Sequence, residues 1–320
     1  MRGATRPDRW PADVKDLDKP GVAVAPNAPD QWVLQAVADG GARVVAVDEA
    51  DALVWNGGDS SALAELVDAN PGLRWVQLPT AGIEAFTTVI DDRRIWTCAK
   101  GAFSPTVAEH ALALILALLR NLGRAVRATE WSPNHVRQLA HSRVVIVGAG
   151  GIGVELQRLL EPFNVSITFV RNTPQPVAGA TRTVTVDTLR AVLPDADVVV
   201  LALPLTPEAR GLVGEAELRA MTPDAILVNV ARGAHIVTGD LVRALAEGWI
   251  AGAGLDVTDP EPLPAGHPLW TEPRCIITSH SANSASAYQQ ALGHRIRRNV
   301  ELFRQGRQDL LGVIEPSRRY

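Results

Sequence analysis

An arginine, a glutamate and a histidine each stand behind an apolar run that is typical of a buried strand. Arg232 follows AILVNV, Glu261 comes shortly after AGAGLDV, and His280 follows RCIITS. Ligands of open α/β sheets bind beyond the carboxyl ends of the strands, so we expect these side chains at one sheet edge. A guanidinium binds a carboxylate and its neighbouring carbonyl, and an imidazole held by a carboxylate exchanges a proton with the carbonyl oxygen. The three residues therefore predict hydride transfer to a 2-oxo acid.

A glycine-rich turn supplies a place for the hydride donor. Gly148, Gly150 and Gly153, with Gly151 and Ile152 between them, match G-x-G-x-x-G between the strand-like RVVIV and the helix-like VELQRLL. That context is the one the motif requires. The first glycine permits the tight turn, the second lets the backbone approach a pyrophosphate, and the third lets the helix pack closely. We predict dinucleotide binding here, the alternative being a βα turn without a ligand.

The next strand ends in Arg171-Asn172-Thr173, where NAD-binding domains usually carry an acidic residue that bonds the ribose 2′-hydroxyl. No acidic residue occurs from Pro162 through Val186. A guanidinium pairs with a 2′-phosphate through charge-assisted hydrogen bonds, whereas a carboxylate would repel it. We therefore predict that NADP(H) is preferred and that NAD(H) is possible. The alternative is a solvated arginine in an enzyme of loose selectivity.

Taken singly, the three catalytic candidates have structural interpretations. A histidine at a strand end is commonly a packing residue, an arginine can cap a helix or lie on the surface, and a glutamate in a Pro-rich loop is most simply solvated. Their joint placement behind one dinucleotide turn favours the functional interpretation. Under it, His280 is the acid in reduction and the base in oxidation, and Glu261 fixes its tautomer.

Short β-branched runs alternate with amphipathic stretches along the chain. Continuous apolar strands that alternate with helices indicate parallel sheets covered on both faces, a doubly wound α/β architecture. Strands are predicted at 22–25, 43–47, 52–56, 74–79, 143–148, 165–170, 197–203, 225–230, 251–257 and 274–279. Helices are predicted at 30–39, 59–69, 151–161, 187–193, 214–221 and 239–247.

Two longer helical patterns, at about 106–122 and 284–305, are interpreted as crossings between domains. We predict two doubly wound parallel-sheet domains. Residues 104–287 form a Rossmann dinucleotide-binding domain, inserted in a flavodoxin-like substrate-binding domain of residues 1–103 and 288–320.

Composition excludes several other classes of function. The net charge of -4 gives no basic surplus for nucleic-acid phosphates. Two cysteines exclude a disulfide framework and a Cys-rich zinc module, and we expect no metal site. Lysine occurs only at 15, 19 and 100, so no P-loop is present. The longest apolar run, ALALILALL, is too short to cross a bilayer, and no secretory signal is visible, so we expect a cytoplasmic protein without membrane partners.

Seven strings together resemble the D-isomer-specific 2-hydroxyacid dehydrogenase family over nearly the whole chain. They are VAEHALALILALLRN, VVIVGAGGIG, LPLTPEARGLV, ILVNVARG, AGLDV, DPEPLPAGHPLW and ITSHSA. The resemblance implies a homodimer of two-domain subunits with the active site in the interdomain cleft, substrate binding by Arg232 and proton transfer by the Glu261–His280 pair. It also implies two further sets of site residues. Leu203, Pro204, Val230, Ala231 and Asp256 line the cofactor, and the turns at Gly57-Gly58 and Ala81-Gly82 hold the substrate carboxylate.

Several residues differ from the usual pattern of the family, and these differences narrow the expected cofactor and reaction. Arg171 favours the NADP-linked glyoxylate and hydroxypyruvate reductase-like branch, and Glu261 differs from the glutamine that formate dehydrogenases pair with their histidine. Asn283 replaces a usual glycine, and asparagine tolerates positive φ, so we expect the turn to survive. Trp131 is interpreted as a buried dimer contact and His110 as a packed or interdomain residue. Two alternatives stay open: a D-3-phosphoglycerate dehydrogenase-like enzyme and a non-catalytic dinucleotide-sensing protein.

Overall fold

The computed structural model describes residues 18–26, 28–131 and 133–315, so the predicted domain ends at 1–17 and 316–320 lie outside the described residues. The strands are, in chain order, β1 (Gly21–Ala25), β2 (Arg43–Val44), β3 (Ala52–Trp55), β4 (Trp75–Gln77), β5 (Ile95–Thr97), β6 (Arg143–Val147), β7 (Ser166–Arg171), β8 (Arg182–Thr185), β9 (Val198–Leu201), β10 (Ile226–Asn229), β11 (Gly252–Leu255) and β12 (Cys275–Ile277). The helices are α1 (Gln31–Asp39), α2 (Ser60–Ala69), α3 (Ser104–Leu119), α4 (Leu122–Ala125), α5 (Gly151–Leu160), α6 (Leu189–Val192), α7 (Glu215–Ala220), α8 (Thr238–Glu247) and α9 (Ala285–Arg304). Among these residues, no helix is long and apolar enough to cross a membrane.

The chain divides into two compact units. The first unit comprises the residues up to Phe103 and those from Ala285 onward, and the second unit is Ser104–Ser284. Each boundary coincides with the start of a long helix, α3 at the first and α9 at the second. The second boundary lies between Ser284 and Ala285, whereas the sequence analysis set it between 287 and 288.

Within the described residues, the first unit holds a five-stranded parallel sheet in the order β2-β1-β3-β4-β5. This is the flavodoxin-like order, with its topological switch point between β1 and β3. Trp55, Trp75 and Trp96 are buried in this unit. Helix α9 belongs to its core, because the buried Asn299 donates from Nδ2 to Gln77 Oε1 on β4 at 2.9 Å.

The second unit, over the part that the structure describes, holds a seven-stranded parallel sheet in the order β12-β11-β10-β9-β6-β7-β8. The order reverses between β6 and β9, as in a Rossmann domain. The apolar helix α3 packs on β10 and β11. A Cβ at Gly254 would lie 3.1 Å from Leu114 Cβ, so the glycine lets the helix approach the strand closely. The predicted α/β class with two doubly wound sheets is confirmed.

The edges of both sheets depart from the prediction. The strand predicted at 43–47 is only Arg43–Val44, and a 3-10 turn follows at Val47–Glu49. Both residues of β2 are exposed, so burial does little to extend this strand. Edge strands β5 and β8 were not predicted. β5 has three residues and β8 is only half-buried, so neither presents the continuous apolar run by which the central strands are identified.

Candidate active site

His280 and Glu261 lie in direct contact. His280 Nδ1 is 2.7 Å from Glu261 Oε1, a distance typical of a charge-assisted hydrogen bond. The side chains are 54% and 43% exposed, respectively, so both are open to solvent and to ligands. Because the carboxylate accepts from Nδ1, the Nε2 atom of His280 is left to exchange a proton with a bound molecule. Two of the three predicted catalytic candidates are thus brought together.

The backbone around His280 is held in an uncommon conformation. Ser279 and His280 have φ of +48° and +56°, in the left-handed region that costs L-residues energy. Asp256 holds the turn in place: its carbonyl oxygen accepts from His280 N at 2.6 Å. Its carboxylate accepts from Thr278 Oγ1 at 2.7 Å and from Ser281 N at 2.9 Å. The hydrogen bonds of Asp256 therefore hold the turn that carries His280.

A histidine on α3 contacts the residues that hold this turn. His110 Nε2 lies 2.8 Å from Thr278 Oγ1 and 3.3 Å from the carboxylate of Asp256, which is 2% exposed. Burial alone would raise the pKa of Asp256, but hydrogen bonds from His110, Thr278 and Ser281 outweigh it and hold the pKa below its ordinary value. Asp256 therefore stays ionised. The sequence analysis assigned His110 no part in the site; the available signal was a polar side chain within an otherwise apolar helix.

Arg232 lies in the turn after β10, which is fixed by hydrogen bonds and close packing. The buried Asn229 donates from Nδ2 to Arg232 O at 2.8 Å and accepts from Ala231 N at 3.0 Å. A Cβ at Gly233 would lie 1.9 Å from the carbonyl carbon and oxygen of Thr258, so only glycine fits. The turn after β10 is thereby pressed against the loop that follows β11.

These contacts place the three candidates on neighbouring strands. Arg232 follows β10, Glu261 follows β11 and His280 follows β12, and the three strands are adjacent in the sheet. Arg232 is half-buried, and its Nη1 donates to Ala231 O at 2.8 Å. The predicted common sheet edge is therefore the observed arrangement.

The glycine turn has the shape of an anion cradle. Gly148 has φ of +111°, and a Cβ there would lie 2.3 Å from Ala202 O on the neighbouring strand's end. A Cβ at Gly153 would lie 2.2 Å from Gly148 O. At Gly150, by contrast, a Cβ would meet nothing within 4 Å, so this part of the backbone faces open space. Helix α5 begins directly afterwards, at Gly151 and Ile152, and its first amides face a ligand position suited to a pyrophosphate.

The strand next to the glycine turn ends in the predicted cation Arg171. Arg171 is the last residue of β7, and Gly148 N donates to Val170 O at 2.8 Å, so the arginine is adjacent in space to the glycine turn. Arg171 Nη1 makes a long hydrogen bond of 3.3 Å to Gln175 O. Asn172 and Thr173 follow in an exposed turn. A guanidinium of this kind is a good partner for phosphate oxygens.

The remaining predicted cofactor residues lie at strand ends of the same sheet: Leu203 and Pro204 after β9, and Val230 and Ala231 after β10. A histidine that the sequence analysis did not single out anchors the first of these loops. The buried His235 has Nε2 3.2 Å from Leu203 O and Nδ1 3.0 Å from Ala209 O. The structural role of His235 depends on residues that are distant in sequence, so the sequence pattern does not reveal it.

The candidate substrate loops belong to the first unit. Gly57-Gly58 follows β3 and Ala81-Gly82 follows β4, and these strands are neighbours. A Cβ at Gly57 would lie 2.8 Å from Pro26 Cδ and 3.2 Å from Trp55 Cζ2, so the loop backbone is packed closely there.

One expectation about the turn after β12 is wrong. Asn283 does not have a positive φ; the left-handed residues of this turn are Ser279 and His280. The Asn283 side chain instead accepts a hydrogen bond from Thr106 Oγ1 on α3, which gives the asparagine a structural use that glycine lacks. Trp131 is fully exposed within the single chain, which leaves its interpretation as a dimer contact a prediction.

Comparison with known proteins identifies related chains. Residues 112–282 match the model of the NAD binding domain of the D-isomer specific 2-hydroxyacid dehydrogenases. An uncharacterised Corynebacterium melassecola protein from the proB 3′ region is 42% identical over 283 residues, spanning 85% of this chain and 92% of that protein. A glyoxylate reductase of Pyrococcus furiosus is 35% identical over 211 residues, 62% of each chain, so less than two thirds of that enzyme is matched. The crystal structure of a D-isomer specific 2-hydroxyacid dehydrogenase from Xanthobacter autotrophicus Py2, in complex with NADPH and MES, has a TM-score of 0.79 at 26% identity and covers 94% of this chain and 100% of that one.

Proposed function

This chain belongs to the D-isomer specific 2-hydroxyacid dehydrogenase family, and on that basis we propose that it reduces a small 2-oxo acid with NADPH and, in reverse, oxidises the D-2-hydroxy acid with NADP+. Membership makes it an NAD(P)-dependent oxidoreductase. The preference for NADP(H) and a glyoxylate- or hydroxypyruvate-like substrate are our proposal. Arg171, the NADPH-bound relative and the relatives named glyoxylate reductase support it.

In the proposed mechanism, the glycine turn around Gly150 and the cation Arg171 would hold NADPH, which would supply a hydride for C2 of the 2-oxo acid. Arg232 binds the substrate carboxylate and polarises the C2 carbonyl through its planar donors. Backbone N–H groups at Gly57-Gly58 and Ala81-Gly82 bind the carboxylate as well. The carbonyl oxygen gains negative charge as hydride arrives, and protonated His280 donates its Nε2 proton to it. The alcohol product leaves His280 neutral, and solvent reprotonates it.

Glu261 keeps the reacting nitrogen of His280 free. By accepting from Nδ1 at 2.7 Å, its carboxylate fixes the tautomer and stabilises the imidazolium before proton transfer. Asp256 and His110 hold the turn that presents the ring. The single observation that carries the proposal is the His280–Glu261 contact at the sheet edge that also bears the glycine cradle and Arg232.

The test is NADPH oxidation with a panel of 2-oxo acids that includes glyoxylate and hydroxypyruvate. His280→Ala should lower kcat by roughly 10²- to 10⁴-fold, the usual contribution of a general acid, and leave the Kd for NADPH nearly unchanged. Glu261→Gln keeps a hydrogen-bond acceptor without the charge, so it should shift the pH profile of kcat. The control is His294→Ala, which removes an exposed histidine of α9 in the first unit.

Wild-type turnover in His280→Ala would refute the proton-donor role. If the wild-type protein binds NADPH but turns over none of the 2-oxo acids, the result would favour the alternative of a non-catalytic, dinucleotide-sensing protein. Turnover confined to a phosphorylated 2-oxo acid would favour the D-3-phosphoglycerate dehydrogenase alternative.

We further propose that the protein acts as a homodimer. Val126 and Trp131, which lie in the segment between α4 and β6, are 79% and 104% exposed within one chain. The two side chains are five positions apart along the chain, and a contiguous exposed apolar patch is typical of an interaction surface.

A further inference from the structure

His235 is a fully buried titratable residue that the proposed mechanism does not use. It ends the 3-10 turn Gly233–His235, directly after the turn residue Arg232. Both of its ring nitrogens contact backbone carbonyl oxygens: Nδ1 lies 3.0 Å from Ala209 O, and Nε2 lies 3.2 Å from Leu203 O. Both distances are in the ordinary range of N–H···O hydrogen bonds. The ring therefore joins the two ends of segment 203–209, which follows β9.

The chemistry of these two partners constrains the charge of the ring. A carbonyl oxygen only accepts hydrogen bonds, whereas a neutral imidazole has an N–H at one nitrogen and a lone pair at the other. A neutral His235 would therefore donate to one carbonyl and turn a lone pair towards the other. An imidazolium has an N–H at both nitrogens, and its charge-assisted hydrogen bonds are about twice as strong as neutral ones. Only the charged ring makes a hydrogen bond at both contacts.

Burial acts in the opposite direction, because desolvation disfavours the charged form of a histidine. The segments in contact with the turn of His235 contribute two carboxylates and two guanidinium groups, which are Glu208, Asp259, Arg210 and Arg232. Asp259 Oδ2 lies 3.8 Å from Arg210 Nη1. Hydrogen bonds from its own backbone N–H and from Thr206 hold the pKa of Glu208 below its ordinary value. These four charges balance, so the two carbonyl contacts are the feature that favours the imidazolium.

Backbone hydrogen bonds join the same two parts of the chain. Val213 N donates to His235 O at 2.9 Å, and Gly211 N donates to Ala234 O at 2.8 Å. His235 N itself donates to Arg232 O at 3.2 Å. The ring thus adds two side-chain contacts to the link between the turn that carries the candidate substrate arginine and the segment that carries two predicted cofactor residues.

We propose that His235 is held as a buried imidazolium and that it positions segment 203–209 for the cofactor. This inference rests on the proposed function, because it assigns His235 to the cofactor side of the same site. His235 is a positioning residue, since it acts through the segment that it holds and not on the reacting atoms. When the ring loses a proton, one of the carbonyls of Leu203 and Ala209 loses its donor. The segment is then held less firmly, and NADPH binds more weakly.

The charge of His235 is measured by ¹⁵N NMR of the full chain, labelled at the histidine ring nitrogens. The two nitrogens of an imidazolium have similar chemical shifts, whereas those of a neutral ring are far apart. At pH 8, above the ordinary histidine pKa of about 6.5, His235 should still give the imidazolium pattern. His267 is the internal control, because its Nδ1 accepts from Leu269 N at 3.3 Å and must carry a lone pair. A neutral pattern for His235 at pH 8 would overturn the proposal.

The positioning role is measured by fluorescence titration with NADPH. His235→Phe keeps a flat ring and loses both donors, so the Kd should rise roughly three- to tenfold, the effect of one hydrogen bond. His235→Gln, whose amide nitrogen can donate to one carbonyl, should lie between this variant and the wild-type protein. The control is His294→Phe, at an exposed histidine of α9 in the first unit. An unchanged Kd in His235→Phe would contradict the positioning role.

The pH dependence of binding separates the role of the charge from a role in packing alone. In the wild-type protein the Kd for NADPH should rise over the pH range in which the NMR pattern of His235 becomes neutral, and His235→Gln should lack that rise. The same rise in both proteins would refute the coupling. The wild-type titration stands even if His235→Phe does not fold. Because neither measurement depends on turnover, failure of the proposed reductase activity leaves both results intact.

Discussion

His280 is held in a backbone conformation that a histidine does not favour by itself. Asp256 supplies the compensation, since its carbonyl and carboxylate oxygens accept hydrogen bonds from Thr278, His280 and Ser281. His110 in turn contacts Thr278 and Asp256. A residue that touches no ligand is therefore expected to influence catalysis through the position of the ring.

His110→Ala should lower kcat about tenfold with little change in the KM for the 2-oxo acid, because the turn loses one supporting contact. The same variant should be less stable in acid. The folded-state pKa of Asp256 is lowered, so its contribution to stability is present above the unfolded pKa of about 4 and is lost as the pH falls through the folded value.

Losing the His110 hydrogen bond raises that folded pKa, so acid unfolding, followed by circular dichroism, should begin at higher pH. His110→Gln, whose amide nitrogen can take the place of Nε2, should restore part of both properties. Equal kcat and equal acid midpoints in all three proteins would contradict the positioning role.

Arg171 is expected to decide between the two nicotinamide cofactors. Arg171→Asp replaces a cation that pairs with a 2′-phosphate by an anion that repels it. The Kd for NADPH should rise roughly ten- to a hundredfold, the range of a lost hydrogen bond to a charged group, while the affinity for NADH holds or improves.

Fluorescence titration with NADPH and with NADH measures the ratio of the two dissociation constants. Arg182→Asp is the matched control, because Arg182 is an exposed arginine at the opposite end of the adjoining strand β8. An unchanged ratio of the two affinities in Arg171→Asp would exclude the arginine as the selectivity determinant.

At the scale of the elements, the turn between β6 and α5 contains glycines that are required for close packing and one glycine, Gly150, that borders open space. A Cβ at Gly153 collides with backbone, whereas a Cβ at Gly150 enters open space. Gly153→Ala should therefore lower the Tm by several degrees, as overpacking costs about 1–3 kcal/mol.

Gly150→Ala should leave the Tm within about a degree and weaken NADPH binding at least tenfold, because the added methyl group occupies the pyrophosphate position. Calorimetry and cofactor titration of the two variants measure both effects. If Gly150→Ala bound NADPH normally, the cradle would not face the cofactor.

The central strands and the strand ends that carry the candidate catalytic residues were predictable, because a buried parallel strand is a continuous apolar run and ligands bind beyond its carboxyl end. Arg232, Glu261 and His280 follow three such runs. The short or half-buried edge strands β2, β5 and β8 lack that signal. His110, Asn229 and His235 escaped prediction for another reason: the groups that they bond are fixed only when the chain has folded.

At the scale of the whole molecule, the exposed Trp131 bears on assembly. Light scattering after size exclusion should give a dimer for the wild-type protein. Trp131→Glu should raise the dimer Kd at least tenfold, since buried tryptophans are frequent interface hot spots. Val44→Glu, at an exposed valine of the first unit, is the control. A monomeric wild-type protein, or a Trp131→Glu dimer of unchanged affinity, would contradict the proposed homodimer.

The place of α9 in the first unit has a consequence for how the protein is made. A ribosome releases the whole of the second unit before α9, yet Asn299 on that helix is the partner of Gln77 on β4. The second unit can thus complete its sheet while the chain is still being synthesised. Until α9 has been synthesised, the sheet of the first unit keeps one apolar face uncovered. Protection of that face by chaperones is expected to matter most during this interval.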